Sequence, residues 1–473
     1  MPTSQVNPAA ARPRSAAWRL PRPPSLTAWV LLFVWQVASA QPRPQPPPEV
    51  PAATAPGLAL SLPLALSRAL SAGPDLVRAH NELRSIEARR PGAALWFPSN
   101  PYASLMFGPR RERQSDGSTL GALQLQAHIE QSFEIAGQRW TRLDAVAAAS
   151  AAQRDQAEYA RRSVEAAVKS VYVQCLFSAQ RVQVAVEREA IARQLLDSAR
   201  TRTQLGAAGE LEPNLAEIEV GRVLGERRDI EVEREGRLAE LRVLVNLPPT
   251  VPLALVSHQL ALQPALRPTE LVLTELIERA YQTRADLRAI YKQKEALRAE
   301  DRRLLREIVP NPLVSFDWQK DLDGQEFIGG TVGLALPLWN RNQAGRSQVH
   351  AAERNRQAEQ RLLLTRIAAE VGQTLITLQL RHSQVEAFTR DALPPAQRNV
   401  ELLRRGWQAG KFDLFRVITA LRELAEVRTR YLLMLEQLWL AAISLERAVG
   451  ESLFTATAVV VDSASSAATT GAP

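Results

Sequence analysis

Apolar and polar residues alternate almost perfectly along several short stretches of the chain. From 123 to 135, Leu123, Leu125, Ala127, Ile129, Phe133 and Ile135 share one parity, with Gln131 the polar exception. Gln124, Gln126, His128, Glu130, Ser132 and Glu134 share the other. A period of two predicts a strand with one apolar and one polar face. Val314, Phe316 and Trp318 alternate in the same way with Ser315, Asp317 and Gln319, and a further run covers 326–338. Polar connections at 110–117 and 320–325 join the strands into two hairpins, with strands expected at about 101–108, 121–136, 312–319 and 326–338. Strands that cross a membrane need ~9–11 residues and alternate lipid-facing with lumen-facing side chains. A half-buried sheet in a soluble domain has the same alternation. Four strands cannot close a spanning barrel, because the smallest have about eight. Open edges are not tolerated in lipid, where backbone groups would lack partners. If these strands span a membrane, several chains must share one barrel.

Elsewhere the apolar spacing changes to 3 and 4. Residues 139–205 contain neither proline nor glycine, which predicts a single helix about 100 Å long at 1.5 Å per residue. A ridge of Val164, Val168, Val171, Cys175, Ser178 and Val182 follows coiled-coil spacing. Similar ridges run through Ile367–Leu378 and Leu421–Val449. The first long helix opens on an Ala-rich stretch, 145–152, and small residues let helix backbones approach closely. Pro394-Pro395 should kink or restart its counterpart. Turns are expected at 206–213 and 406–413. Gly206 and Gly406 stand where a left-handed residue would end a helix, and Asp413 can cap the returning one. The reading is two helical hairpins, at about 139–247 and 343–450.

The two halves read alike. At a shift of 211, Leu66 meets Ile277, Arg68 meets Arg279, Asp75-Leu76 meets Asp286-Leu287 and Asn100-Pro101 meets Asn311-Pro312. The shift then drifts to 203 and 201, where Gly209-Glu-Leu211 meets Gly410-Lys-Phe412. Ordered matches with a drifting offset argue for a tandem duplication, with repeats at 58–265 and 266–453. A period near 200 is too long for a solenoid.

Charge changes this picture little. The 473 residues carry a formal +8, and four of those charges, Arg12, Arg14, Arg19 and Arg22, lie in residues 1–40, leaving +4 on the rest. Segment 1–40 has a basic flank, a short apolar run and a small-x-small end. It reads as a signal peptide cut between Ala40 and Gln41, and the run is too short for a spanning anchor. Residues 41–57 read as a Pro-rich linker and 454–473 as a disordered tail. A basic chain invites a nucleic-acid partner, but arginine is interleaved with glutamate, as in 226–235, which is a solvated helix face and not a binding patch. Cys175 stands alone, so no intrachain disulfide or Cys-cluster metal site forms, and no cysteine follows the cleavage site to carry lipid. There is no phosphate loop, since Gly410-Lys411 is followed by Phe, and the five histidines are scattered. No catalytic residue, metal site or cofactor is expected. His128 reads as a wall residue on the polar strand face, since no carboxylate–histidine cluster accompanies it in the sequence.

The chain resembles the TolC family of outer-membrane efflux proteins over about 58–453. The features that carry this are the duplication, the paired strand and hairpin blocks, the opening that ends in Pro74-Asp75-Leu76, and the block Gly410–Ala420. Glu134-Ile-Ala-Gly-Gln-Arg139 and Leu336-Pro-Leu-Trp-Asn-Arg-Asn-Gln343 resemble motifs of the cobalt–zinc–cadmium resistance branch. The resemblance implies a mainly α chain with a membrane β-barrel: a homotrimer sharing a 12-strand outer-membrane barrel and a long periplasmic α-helical barrel. It implies a passive, non-enzymatic conduit working with a periplasmic adaptor and, through it, an inner-membrane pump of the resistance–nodulation–division type. The cargo it implies is divalent heavy metal, with drug efflux or type I protein secretion as the alternative and a periplasmic adaptor as a remote one. Gly209, Glu210, Leu211, Gly410, Lys411 and Phe412 would form the adaptor-docking tips. Aligned on Gly410, Arg416 and Thr419 fall where the best-known members carry pore-ringing aspartates, so the constriction set is Glu212, Asp413, Arg416 and Thr419. Gln124, Gln126, His128 and Glu130 would line the barrel lumen.

Overall fold

Strand alternation and helix periodicity meet in a computed structural model that describes residues 58–453, apart from 98, 114–116, 118, 207–208, 257–267, 321–324 and 410. The expected signal peptide with Ala40 and Gln41, the linker, the tail and Gly410 lie outside the described residues. The chain opens with β1 (Leu58–Leu60), α1 (Leu62–Ala72), α2 (Pro74–Glu87) and the single turn α3 (Arg90–Ala93). A hairpin of β2 (Tyr102–Arg113) and β3 (Thr119–Ser132) follows, then α4 (Gln138–Gln204) and α5 (Leu211–Leu244). After β4 (Leu253–Leu255) the order recurs as α6 (Leu273–Thr283), α7 (Ala285–Arg306), β5 (Pro312–Lys320), β6 (Glu326–Leu334), α8 (Gln343–Asp391), α9 (Leu393–Gln408) and α10 (Leu414–Val449).

The four long strands form one antiparallel sheet in the order β2-β3-β5-β6, which leaves β2 and β6 as its edges. Leu105 pairs with Ala127, His128 with Asp317 and Phe316 with Gly330. That register sends Leu105, Phe107, Ile129, Phe316, Ile328 and Val332 to one face, where all are exposed. Ser104, Gln126, His128, Glu130, Ser315 and Asp317 take the other. Burial in the sheet is thus inverted relative to a soluble domain.

Several boundaries differ from the sequence reading. Strand β2 runs to Arg113, past the expected end at 108, because an edge strand accepts both Pro109 and a charged run. Strand β3 stops at Ser132, short of 136, since the chain must turn at Gly137 (φ +73°) to enter α4. Strand β6 stops at Leu334, short of 338, before Pro337, which cannot donate to a ladder. Gly406 is not a left-handed terminator. It lies inside α9, whereas Gly206 does adopt φ +73° after α4. The proline pair does interrupt the second hairpin, with Ala392 separating α8 from α9.

Helix α4, with 67 residues, is the spine. It packs on α5, α7 and α10, while α8 packs on α7 and α10. Three apolar clusters hold the helices. One joins α8 and α10 through Ile367, Leu378, Leu435 and Leu445. A second surrounds Tyr172, whose hydroxyl lies 3.1 Å from the Leu60 carbonyl oxygen and ties α4 to the short parallel β1–β4 pair. The third closes the far end, where Leu195 and Ala199 of α4 meet Ala216 of α5, Trp407 of α9 and Leu414 of α10.

Candidate functional site

Three regions carry chemistry: the sheet, the far tips of the helices, and the junction between sheet and helices. On the sheet, Gln124, Gln126, His128 and Glu130 all lie on the polar face and are half-buried. The absence of carboxylates around His128 is corrected by the register. Its Nδ1 is 2.7 Å from Asp317 Oδ1 and its Nε2 is 3.3 Å from Glu130 Oε2, while Ser315 Oγ donates to Asp317 Oδ2 at 3.1 Å. Asp317 is 189 residues away, so spacing along the chain could not reveal it. The two ring nitrogens face different carboxylates and the donors do not converge. Among the described residues no group of three or more His, Cys, Asp or Glu could hold a metal ion.

At the tips, the third apolar cluster brings both hairpins together. Gly209, Glu210 and Leu211 are exposed where α4 turns into α5, and Lys411, Phe412 and Asp413 are exposed where α9 turns into α10. Arg202 of α4 reaches the second tip. It donates to the Trp407 carbonyl oxygen at 3.2 Å, its guanidinium lies 5.4 Å from the indole centroid, and Glu212 sits 3.6 Å from its Nε. Glu212 is therefore engaged within the chain. The Asp413 carboxylate caps α10 by accepting from the Arg416 amide at 2.9 Å. The Arg416 side chain stays exposed, with Nε 3.9 Å from the same carboxylate and its guanidinium 5.9 Å from the Phe412 ring. The Thr419 hydroxyl is turned back on the Phe415 carbonyl oxygen at 2.9 Å.

Behind the tips lies a charged hub that sequence reasoning missed. Glu219 of α5 is buried and accepts from Arg422 of α10 (2.6 Å), Arg222 of its own helix (2.8 Å) and Arg188 of α4 (3.2 Å). Burial pushes its pKa up, but the hydrogen bonds from Arg222 and Arg422 outweigh this and hold the carboxyl below the usual glutamate range. A weak signal existed, since Glu219 interrupts an apolar spacing on α5, but nothing local named its partners.

At the junction, the two branch-like motifs prove to be turn-and-cap devices. Gln138 Oε1 accepts from the Ala136 amide at 2.9 Å, and its Nε2 reaches Asn311 Oδ1 at 3.1 Å. In the second half, Gln343 Oε1 accepts from the Arg341 amide at 2.7 Å. Asn342, at φ +56°, donates its side-chain amide to the Leu304 carbonyl oxygen at 2.9 Å. Each motif carries a left-handed residue, Gly137 or Asn342, that bends a strand exit into a helix. Arg142 pairs with Glu134 across the first bend.

These features define a class: a few long strands with an exposed apolar face, set on two coiled helical hairpins. Comparison with solved structures gives the same answer. The chain has the fold of TolC-type outer-membrane channels. It superposes on the outer-membrane channel OprN with a TM-score of 0.65 at 16% identity, covering 82% of this chain and 89% of that one. For CusC the TM-score is 0.63 at 17% identity, covering 86% and 99%. Among curated proteins, the cobalt–zinc–cadmium resistance protein CzcC of Cupriavidus metallidurans is 30% identical over 146 residues. That match spans 30% of this chain and only about a third, 34%, of CzcC. No protein-family model matches the chain.

Proposed function

We propose that this protein is the outer-membrane channel of a tripartite efflux system, a passive conduit and not an enzyme. The observation that carries the reading is the sheet. It has two unpaired edges and an exposed apolar face, and it stands at one end of a helical bundle whose longest helix runs about 100 Å. An open-edged sheet is stable in lipid only when copies complete one another's edges. Three copies of four strands make a 12-strand barrel, and the recurring element order fits a tandem-duplicated chain whose hairpins form a tunnel through the periplasm. The polar sheet face, with Gln124, Gln126, His128 and Glu130, lines the barrel lumen.

The tips Gly209–Leu211 and Gly410–Phe412 are the docking points for a periplasmic adaptor, which connects the channel to an inner-membrane pump of the resistance–nodulation–division type. Exposed Leu211 and Phe415 supply apolar contacts there. The narrow end of the conduit is set by Asp413, Arg416 and Thr419, with Glu212 held behind them by Arg202. Three Arg416 side chains facing one axis would repel cations, and the Asp413 carboxylate beside each reduces that field. Divalent heavy-metal cations are the proposed cargo, supported by the CzcC similarity and by the two junction motifs. The test is a deletion strain plated on zinc, cobalt, nickel and cadmium. Metal sensitivity of the deletion strain, with tolerance restored by the full-length gene, is the expected result. Unchanged tolerance to all four sinks the metal cargo, and a water-soluble monomer in fractionation sinks the channel.

A further inference from the structure

All four strands meet the helices at the same end of the sheet: the starts of β2 and β5 and the ends of β3 and β6. The connecting segments carry a concentration of exposed apolar side chains. Phe97, Phe133, Ile135, Leu336 and Leu338 keep the sequence parity of the exposed apolar sheet face, and Phe97 packs edge-on against Phe133 at 5.6 Å. Just below them, Trp96 and Trp140 are 68% and 61% exposed. Between the two indoles lies Arg139, whose guanidinium carbon is 4.1 Å from the Trp96 ring and 4.7 Å from the Trp140 ring. Its Nε donates to the Ala94 carbonyl oxygen at 2.9 Å, which fixes the group in place. Nearby Arg142 pairs with Glu134 and donates to the Leu95 carbonyl oxygen at 3.0 Å. Among the described residues no carboxylate pairs with Arg139, in a chain whose arginines are widely matched to glutamates.

We propose that this junction is a phospholipid headgroup seat: Trp96 and Trp140 lie at the glycerol level of the periplasm-facing leaflet, and Arg139 meets the lipid phosphate. The inference rests on the channel reading, since it places the apolar sheet face above it in the acyl chains. Two arguments on the molecule favour lipid as the occupant. The apolar collar resumes the parity of the apolar sheet face beyond Gln131 on the β3 side and follows it past Leu334 on the β6 side, and the stacked cation beside it has no acidic partner among the described residues. Indole suits a boundary where an apolar ring body must coexist with a wet N–H. A guanidinium matches phosphate geometry, and stacking keeps it planar and outward.

Full-length protein in vesicles of phosphatidylethanolamine and phosphatidylglycerol provides the test, with lipids brominated either near the carbonyls or near the chain ends. Shallow bromines should quench a component of tryptophan emission that disappears in the Trp96→Phe/Trp140→Phe double variant. Deep bromines should quench a component that disappears in Trp318→Phe, the indole on the apolar sheet face. If the Trp318 component is quenched and no Trp96/Trp140 component is, the headgroup seat is wrong and the channel reading stands. If bromines at neither depth quench any tryptophan, the sheet is outside lipid and both fall. The phosphate contact has its own readout. Arg139→Gln should retain about fivefold less phosphatidylglycerol through detergent delipidation, the scale expected for one arginine at a lipid surface. Unchanged retention overturns the role of Arg139.

Discussion

Glu219 and Glu436 are equally dry, yet they stand on opposite sides of the electrostatic balance. Glu219 has three guanidiniums hydrogen-bonded to it, whereas among the described residues Glu436 of α10 has one within ion-pair distance, Arg181 at 3.9 Å, with Arg237 acting from farther off. Arg181 is already held by both oxygens of Glu233, at 2.8 and 3.0 Å, and one Glu436 oxygen has no hydrogen-bond partner. Burial therefore dominates and raises the Glu436 pKa, with the Arg181 and Arg237 charges opposing it only in part and the Glu233 charge adding to it. Glu219, depressed in the folded protein, contributes stability above the ordinary glutamate range that is lost as pH falls through its folded pKa. Glu436, raised in the folded protein, costs stability as pH climbs from the unfolded to the folded value and costs nothing below both. Glu219→Gln should destabilise the tip end by about 3 kcal/mol, because three arginines lose a buried counter-charge. Glu436→Gln should stabilise at neutral pH by about 1 kcal/mol and be neutral in acid. Thermal unfolding of both variants at two pH values, followed by helical circular dichroism, checks the opposite signs. A stabilised Glu219→Gln protein would mean the hub is not formed.

Among the helices, glycine acts in different ways, and the difference sets a second comparison. A Cβ added at Gly406 would come within 2.3 Å of the Phe412 ring, so α9 and the tip are packed through that missing side chain. The Lys411 amide donates to the Gly406 carbonyl oxygen at 2.8 Å across the same turn. At Gly225, inside α5, an added Cβ meets nothing within 4 Å. Alanine gains about 1 kcal/mol over glycine in a helix interior, while overpacking costs about 1–3 kcal/mol. Gly225→Ala should stabilise α5, and Gly406→Ala should loosen the second tip despite its better helix propensity. Limited proteolysis at 409–413 should accelerate only in the Gly406 variant, and equal cleavage rates would refute the packing role. The same contrast shows what the sequence could disclose. Alternation from Leu123 to Ile135 made the two sheet faces legible, and the 4,3 spacing from Val164 to Val182 marked the helical ridge. Gly406 looks like a terminator in the sequence because the reason for it is a ring six residues on, beyond a turn. The His128–Asp317 and Glu219–Arg422 pairs join residues 189 and 203 apart, so only the fold assembles them.

At the scale of the whole molecule the unpaired edges of β2 and β6 decide what can exist. Left alone in lipid, each edge would strand backbone donors and acceptors at several kcal/mol apiece. Closing them on each other within one chain is excluded by strand number, since four strands do not make a spanning barrel. If the sheet lies in lipid as proposed, the edges would meet between copies, β2 of one against β6 of the next, and such a pairing would have a definite register. Neighbouring strands lie about 4.7–4.9 Å apart, and a disulfide tolerates Cα separations of about 4.4–6.8 Å, so only residues nearly opposite one another can be bridged. Cysteine at Leu105, combined in turn with cysteine at Ile328, Gly330 or Val332, samples one face of both edges. The native Cys175 will not interfere. It is buried between α4 and the β1–β4 pair, and burial pushes its thiol up to about 12, so it stays protonated under mildly alkaline oxidation. One of the combinations should yield a covalent ring that runs as three chains in denaturing gels and collapses to one on reduction, while the others stay largely monomeric. Bridging in every combination would indicate a sliding edge, and no bridging in any, with the protein in the membrane fraction, would show that β2 and β6 do not pair between copies.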